Sequence, residues 1–277
     1  MRVRQEAALA AAAADYSWLA PRSQEATVRG LNGKGVLITG GTRGIGYATA
    51  ERFLEERARV FVCSRSLQDV QAAIAALSPH GEIDGMAADV SNEGDVQSLT
   101  AAAEASLGGI DILINNAGIA FEERFLEITA AHWDEIIATN LRGAFLMATA
   151  VAHEMIGRGR RGVIVNMSST NGLSGEAKYA HYNASKAGII LLTKTMAVEL
   201  GAYGIRVNAV CPGYIVTPMS EAIDDPVFVG AYIQNKIPIG RAGTAADVAA
   251  AYAFLASDDA AFVDGECLLV DGGQLAS

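Results

Sequence analysis

From Gly35 onward the chain alternates short apolar runs with longer segments of helical periodicity. The runs GVLIT (35–39), RVFVC (59–63), DGMAA (84–88), IDILIN (110–115), GVIVNM (162–167), IRVNAV (205–210) and CLLV (267–270) are almost continuous in apolar residues. That is the pattern of parallel strands covered on both faces. DGMAA, short and alanine-rich, is the weakest of them. Between the runs, residues 47–56, 95–107 and 187–200 repeat apolar positions with the period of a helix. The alternation predicts an α/β fold: a single domain built on a doubly wound parallel sheet of about seven strands, a Rossmann fold. It occupies residues 31–277. Residues 1–30, with Arg2, Arg4, a run of alanines and Pro21, read as an N-terminal extension, a helical or frayed arm.

Composition narrows the function classes. With 51% hydrophobic residues in 277 there is ample apolar side chain for one core. A formal net charge of −10 argues against nucleic acid and anionic membrane as partners. The run 187–200 is interrupted by Lys194 and Glu199 and is too short to span a bilayer. Glu6 and Asp15 disrupt any secretory or transit signal in the arm. Cys63, Cys211 and Cys267 are odd in number and far apart in sequence, with no metal-ligand spacing. They fit a reducing, cytoplasmic setting as small buried side chains, and no metal site is expected.

In open α/β sheets ligands bind beyond the carboxyl ends of the strands, so the residues just after each apolar run matter most. GVLIT leads into Thr39-Gly40-Gly41-Thr42-Arg43-Gly44-Ile45-Gly46 before a helix begins. Gly40, Gly44 and Gly46 are spaced to let a pyrophosphate approach that helix's N-terminus. No Gly-Lys-Ser/Thr follows, which disfavours a phosphate-loop kinase or ATPase. The second run ends at Ser64-Arg65, where NAD-binding folds place an acid for the ribose 2′-hydroxyl. A guanidinium there, with Arg43 in the loop, favours a 2′-phosphate, hence NADP(H) over NAD(H). The plainer alternative is a pair of surface arginines. Asp89 and Val90, after the third run, are placed for the adenine. Asn116, Ala117 and Gly118, after the fourth, are placed for the adenosine ribose, or else form a simple turn.

Tyr182 and Lys186 stand four positions apart, one turn along a single helix face. An ammonium beside a phenol favours the phenolate and lowers its pKa, making the tyrosine a usable acid–base. Alone, such a pair reads more readily as an amphipathic helix surface, and it is the context that changes the weighing. Ser168 and Ser169, at the end of GVIVNM, lie at the mouth of the expected crevice, where a hydroxyl can polarise a carbonyl.

Taken together, TGGTRGIG (39–46), NNAG (115–118), Asn140 in ATNLRG, SS (168–169), YNASK (182–186), CPG (211–213) and VDGG (270–273) resemble the single-domain short-chain dehydrogenase/reductases from Leu31 to Gly273. The resemblance implies a ketone–alcohol oxidoreductase with Tyr182 as acid–base. Lys186 would tune the tyrosine and bind the nicotinamide ribose, and Ser169, rather than Ser168, would orient the substrate. The backbone carbonyl of Asn140 would hold a water in the proton relay; the alternative is a helix-interior Asn satisfied by its neighbours. Pro212, Gly213, Ile215 and Thr217 resemble the stretch lining the nicotinamide. The same resemblance implies a homotetramer and, over 217–240, a substrate lid.

The substrate stays open. Asn171, Glu176, Lys178 and His181 lie between serine and tyrosine and suit a polyhydroxylated substrate, as in sugar or polyol dehydrogenases, unless they are solvated loop residues. A 3-oxoacyl carrier-protein reductase is the alternative, with Arg158, Arg160 and Arg161 receiving an acidic carrier unless that run is a solvated helix end. Two other readings are a cofactor-sensing protein without catalysis and an enzyme whose N-terminal arm docks a partner.

Overall fold

The structure is a computed structural model describing residues 28–218, 220 and 226–276. Most of the predicted N-terminal arm therefore lies outside the described residues. Seven parallel strands form one sheet: β1 (Gly35–Thr39), β2 (Arg59–Ser64), β3 (Ile83–Ala87), β4 (Ile112–Asn115), β5 (Gly162–Met167), β6 (Ile205–Pro212) and, last in the chain, β9 (Cys267–Val270). Their spatial order is β3-β2-β1-β4-β5-β6-β9. Two further strands of two residues each, β7 (Ile215–Val216) and β8 (Gly243–Thr244), pair beside it. The expected third strand begins one residue earlier than DGMAA, because the register sets Ile83 opposite Val60 and Ala87 opposite Ser64.

The helices alternate with the strands: α1 (Gly44–Glu55), α2 (Leu67–Leu77), α3 (Glu93–Leu107), α4 (Ala130–Ile137), α5 (Gly143–Gly157), α6 (Ala180–Leu200), α7 (Pro226–Lys236) and α8 (Ala245–Ala256). Strand parity divides the core in two. Val36, Ile38, Val60, Val62, Ile112 and Ile114 face Ala50, Phe53 and Leu54 of α1 and Val248, Tyr252 and Ala253 of α8. Leu37, Phe61, Cys63, Leu113 and Ile164 face Leu99 and Ala103 of α3 and Met147, Val151 and Met155 of α5. The inner strands are covered on both faces, so most of their positions need apolar residues, as the sequence has them.

After β3 the chain crosses back through α3 to place β4 on the other side of β1. The crevice at that reversal, above the ends of β1 and β4, is where such sheets bind ligands. At the other end of the domain, Val28 donates its N–H to Glu56 at 3.2 Å, and Arg29 pairs with Asp259, so the chain is already tied to the sheet layer before Leu31. No helix among the described residues is long and apolar enough to cross a membrane.

Candidate active site

The turn after β1 is built for close approach. Gly40 and Gly44 have φ of +63° and +53°, in the left-handed region that disfavours side chains. A Cβ on Gly46 would run into the Gly40 carbonyl and stand 2.6 Å from Asn116 Nδ2. Gly41, not among the three glycines singled out from the spacing, is needed too: its Cβ would lie 2.7 Å from Val62 Cγ1 of β2. Thr39 staples the neighbouring strand end, its Oγ accepting the N–H groups of Asn116 (3.1 Å) and Ala117 (3.0 Å). The Asn116 amide points back into the turn and donates to the carbonyls of Thr39 (3.0 Å) and Gly40 (3.1 Å).

Side chains cap α2, α3, α4 and α8 through Ser66, Asn92, Thr129 and Thr244. The N-terminus of α1 has no side-chain cap and no acid in its first turn. Uncapped donors behind a glycine turn, with nothing negative nearby, suit a pyrophosphate. Thr42 and Ile45 complete the turn, and Ile45 packs on the core. Arg43 and Arg65 are both exposed, and the side chain of neither makes a salt bridge or hydrogen bond among the described residues. Ser64 spends its hydroxyl proton on the Ser66 carbonyl at 3.1 Å. The residues present thus fit a dinucleotide, with two uncommitted cations beside the end of β2.

The rest of the cradle is brought to the same crevice. Asp89 accepts from Ser91 N–H and Oγ, at 2.9 and 2.7 Å, through one carboxylate oxygen. Val90 packs on Gly143, where a Cβ would sit 2.9 Å from its side chain. A Cβ on Gly118 would lie 3.2 Å from Asn140 Oδ1 and 3.5 Å from Lys186 Nζ, so three of the expected residues meet there. Gly213 donates its N–H to Val270 at 3.1 Å, and Pro212 ends β6 beside β9. Ile215 is buried, and Thr217 stands opposite the glycine turn, 3.6 Å from a Cβ built on Gly44. Of the expected lid, α7 is docked by Tyr232, whose hydroxyl accepts from Gln274 at 2.9 Å. Met219, Glu221, Asp224 and Asp225 lie outside the described residues.

Helix α6 begins seven residues before the segment expected from periodicity, and so contains both Tyr182 and Lys186. Lys186 Nζ lies 5.4 Å from the centre of the Tyr182 ring and donates to the Met167 carbonyl at 2.9 Å. Ser169 stands close enough to the Tyr182 phenol to lower its pKa. Ser168 faces the other way, buried, its Oγ donating to the Lys186 carbonyl at 2.8 Å, so it anchors α6 to β5.

Asn140 is buried in a π-helical turn, Ala138–Arg142, between α4 and α5. Its amide is fully occupied: Oδ1 accepts from Ile119 N–H (2.8 Å), and Nδ2 donates to the Ile119 carbonyl (2.9 Å) and Ser185 Oγ (3.2 Å). Wider turns of this kind displace backbone carbonyls from their usual partners and recur at functional sites. Ser185, inside the YNASK motif but not singled out, joins Asn140 to the tyrosine by donating to the Tyr182 carbonyl at 2.7 Å.

One electrostatic expectation is corrected. The ammonium was expected to lower the pKa of the phenol, yet Tyr182 is pushed up to about 12. Desolvation is the main cause; the Ser169 hydroxyl opposes it, and the Glu176 carboxylate adds to it. Lys186 is itself brought down to about 8 by burial, which weakens the help it gives. Two further expectations change. Arg158 pairs with Glu104 at 2.7 Å, and Arg160 donates to the Gly108 carbonyl at 2.8 Å, at the edge of the sheet where β5 begins and away from the crevice. Cys211 and Cys267, distant in sequence, are free thiols on the neighbouring strands β6 and β9, Cys211 buried as expected and Cys267 only partly so.

The chain is similar to known proteins over most of its length. The enoyl-(acyl carrier protein) reductase family model matches residues 40–274. The 3-oxoacyl-[acyl-carrier-protein] reductase FabG of Vibrio cholerae is 40% identical over 244 residues, covering 88% of this chain and 98% of its own. Among solved structures, one named a short-chain alcohol dehydrogenase, from Sinorhizobium meliloti, has a TM-score of 0.85 and 36% identity over 89% of this chain and 98% of its own. Levodione reductase has a TM-score of 0.84 and 38% identity, covering 89% and 99%. The chain belongs to the short-chain dehydrogenase/reductase family. It is accordingly an oxidoreductase of a class that works with a nicotinamide cofactor.

Proposed function

We propose that the protein interconverts a ketone and a secondary alcohol with NADP(H), using Tyr182 as the proton donor and acceptor. One observation carries this reading: Lys186 Nζ lies 5.4 Å from the centre of the Tyr182 ring, with Ser169 beside the phenol, at the strand ends next to the glycine turn. When bound, the cofactor supplies or accepts the hydride. Gly40, Thr42, Gly44, Ile45 and Gly46 shape its pyrophosphate site, and the guanidinium groups of Arg43 and Arg65, on either side of Ser64, receive the 2′-phosphate. Asp89, Val90, Asn116, Ala117 and Gly118 enclose the adenosine. Pro212, Gly213, Ile215 and Thr217, with Tyr182 and Lys186, hold the nicotinamide end.

Ser169 and the phenol together address the substrate oxygen. A phenol held near 12 stays protonated at neutral pH, so the donor for carbonyl reduction is loaded, while alcohol oxidation calls for alkaline conditions. As the proton leaves, Ser169 and the Lys186 cation stabilise the negative oxygen. Asn140 fixes the loop at Ile119 and the backbone of α6 through Ser185, and its backbone carbonyl would hold the relay water.

The relative named a 3-oxoacyl carrier-protein reductase favours that activity as a second reading, but Arg158 and Arg160, its suggested carrier contacts, are committed elsewhere. Leu191 and Val198 on α6 and Leu269 on the edge strand β9 are exposed, which supports assembly as a homotetramer. Initial rates with NADPH and NADH against oxoacyl thioesters, keto-sugars and cyclic diketones test the reading. Turnover of none of them would reject it.

A further inference from the structure

The polar residues between serine and tyrosine close into a ring of contacts beside the phenol. Ser169 Oγ accepts the Asn171 N–H at 3.1 Å. Asn171 Nδ2 donates to Glu176 Oε2 at 2.9 Å and to Asn183 Oδ1 at 3.0 Å. Asn183, the residue after Tyr182, donates its Nδ2 to the Glu176 carbonyl at 2.9 Å. Glu176 is thus held at its backbone and at one carboxylate oxygen by residues attached to Ser169 and Tyr182, and its charge is felt at the phenol.

A solvated loop glutamate would not be fixed at two points, and a structural ion pair would have a cation. Among the described residues Glu176 has none: Lys178, two positions on, is bound to Glu122 at 2.7 Å. Glu176 Oε1 accepts no hydrogen bond from the described residues, although the carboxylate is exposed at the site. An oriented carboxylate with a spare oxygen accepts from a hydroxyl and repels another carboxylate.

We propose that Glu176 determines specificity: its carboxylate takes a hydrogen bond from a substrate hydroxyl beside the reacting carbonyl, selecting neutral hydroxy ketones and their diols over plain ketones and anionic oxo acids. This rests on the ketone–alcohol reading above. The test compares wild type and Glu176→Gln, with NADPH, on acetoin, 2-butanone, 2-oxobutanoate and a β-oxoacyl thioester. Wild type favours acetoin over 2-butanone. In Glu176→Gln that preference, taken as a ratio of kcat/KM values, falls about tenfold, the low end for a hydrogen bond to a charged group at an exposed position. 2-Oxobutanoate gains relative to 2-butanone.

Calorimetric binding of 2,3-butanediol to the protein–NADP⁺ complex weakens in parallel. An unchanged acetoin/2-butanone ratio overturns the proposal. So does a thioester preferred over acetoin in both proteins, a result that upholds the ketone–alcohol reading. No turnover of any carbonyl compound by wild type would remove both.

Discussion

Replacing Arg65 with alanine should separate the two nicotinamide cofactors. Arg65 is exposed at the end of β2 and has no ion pair or hydrogen bond among the described residues, so binding a phosphate breaks no internal contact. Two unit charges 4 Å apart attract by about 1 kcal/mol in bulk water and about 4 kcal/mol at an effective dielectric of 20. Exposure puts Arg65 toward the lower end, and a phosphate carries nearly two charges, so about 2 kcal/mol is expected, some 30-fold in Kd. Arg43, equally exposed in the glycine turn, should contribute similarly and partly compensate for the loss of Arg65. Fluorescence titration of Arg65→Ala with NADPH and NADH reads the effect directly. NADPH binding should weaken by ~10- to 30-fold, more at low salt than at high, with NADH changed little. Equal weakening of both would place the guanidinium away from the 2′-position and remove the argument for NADP(H).

Other expectations follow from the site. Ser168→Ala removes a buried hydrogen bond to the Lys186 carbonyl and should cost about 1 kcal/mol of stability by denaturant melt with modest loss of turnover, whereas Ser169→Ala should lose about 10²-fold in kcat without that destabilisation. Lys186, brought from 10.5 to about 8, disfavours folding while it must be charged, so stability relative to Lys186→Met should rise as pH increases from about 8 to 10.5. The phenol works in the opposite sense. With its pKa raised from 10 to about 12, Tyr182 binds its proton more tightly when folded, and that contribution is lost as pH rises from about 10 to 12. Thermal melts across pH that show no difference between wild type and Lys186→Met would deny that the ammonium is desolvated.

Much of this architecture is legible from the chain because burial on both sheet faces forces apolar residues at most strand positions. The five inner strands β1, β2, β4, β5 and β6 carry that signature most fully, while the edge strands β3 and β9 are only partly covered, with Asp84 and Leu269 exposed. What sequence could not show depends on neighbours brought together by folding. Strands β7 and β8, two residues each, are too short for periodicity to register. The π-turn around Asn140 looks like ordinary helix, and Gly41 is required only because β2 packs Val62 beneath it. Cys211 and Cys267 come onto neighbouring strands only through the pairing of β6 with β9. Similarly, spacing put Lys186 beside Tyr182, but the sign of the phenol's shift is set by desolvation, which spacing does not encode.

The account turns on the phenolic oxygen of Tyr182 as the group that moves the proton. Measuring kcat for Tyr182→Phe on a ketone that wild type reduces, with the NADPH dissociation constant determined on the same samples, tests it most directly. A fall of about 10²–10⁴ in kcat with cofactor affinity retained is expected. Turnover at the wild-type rate with the hydroxyl gone would contradict it.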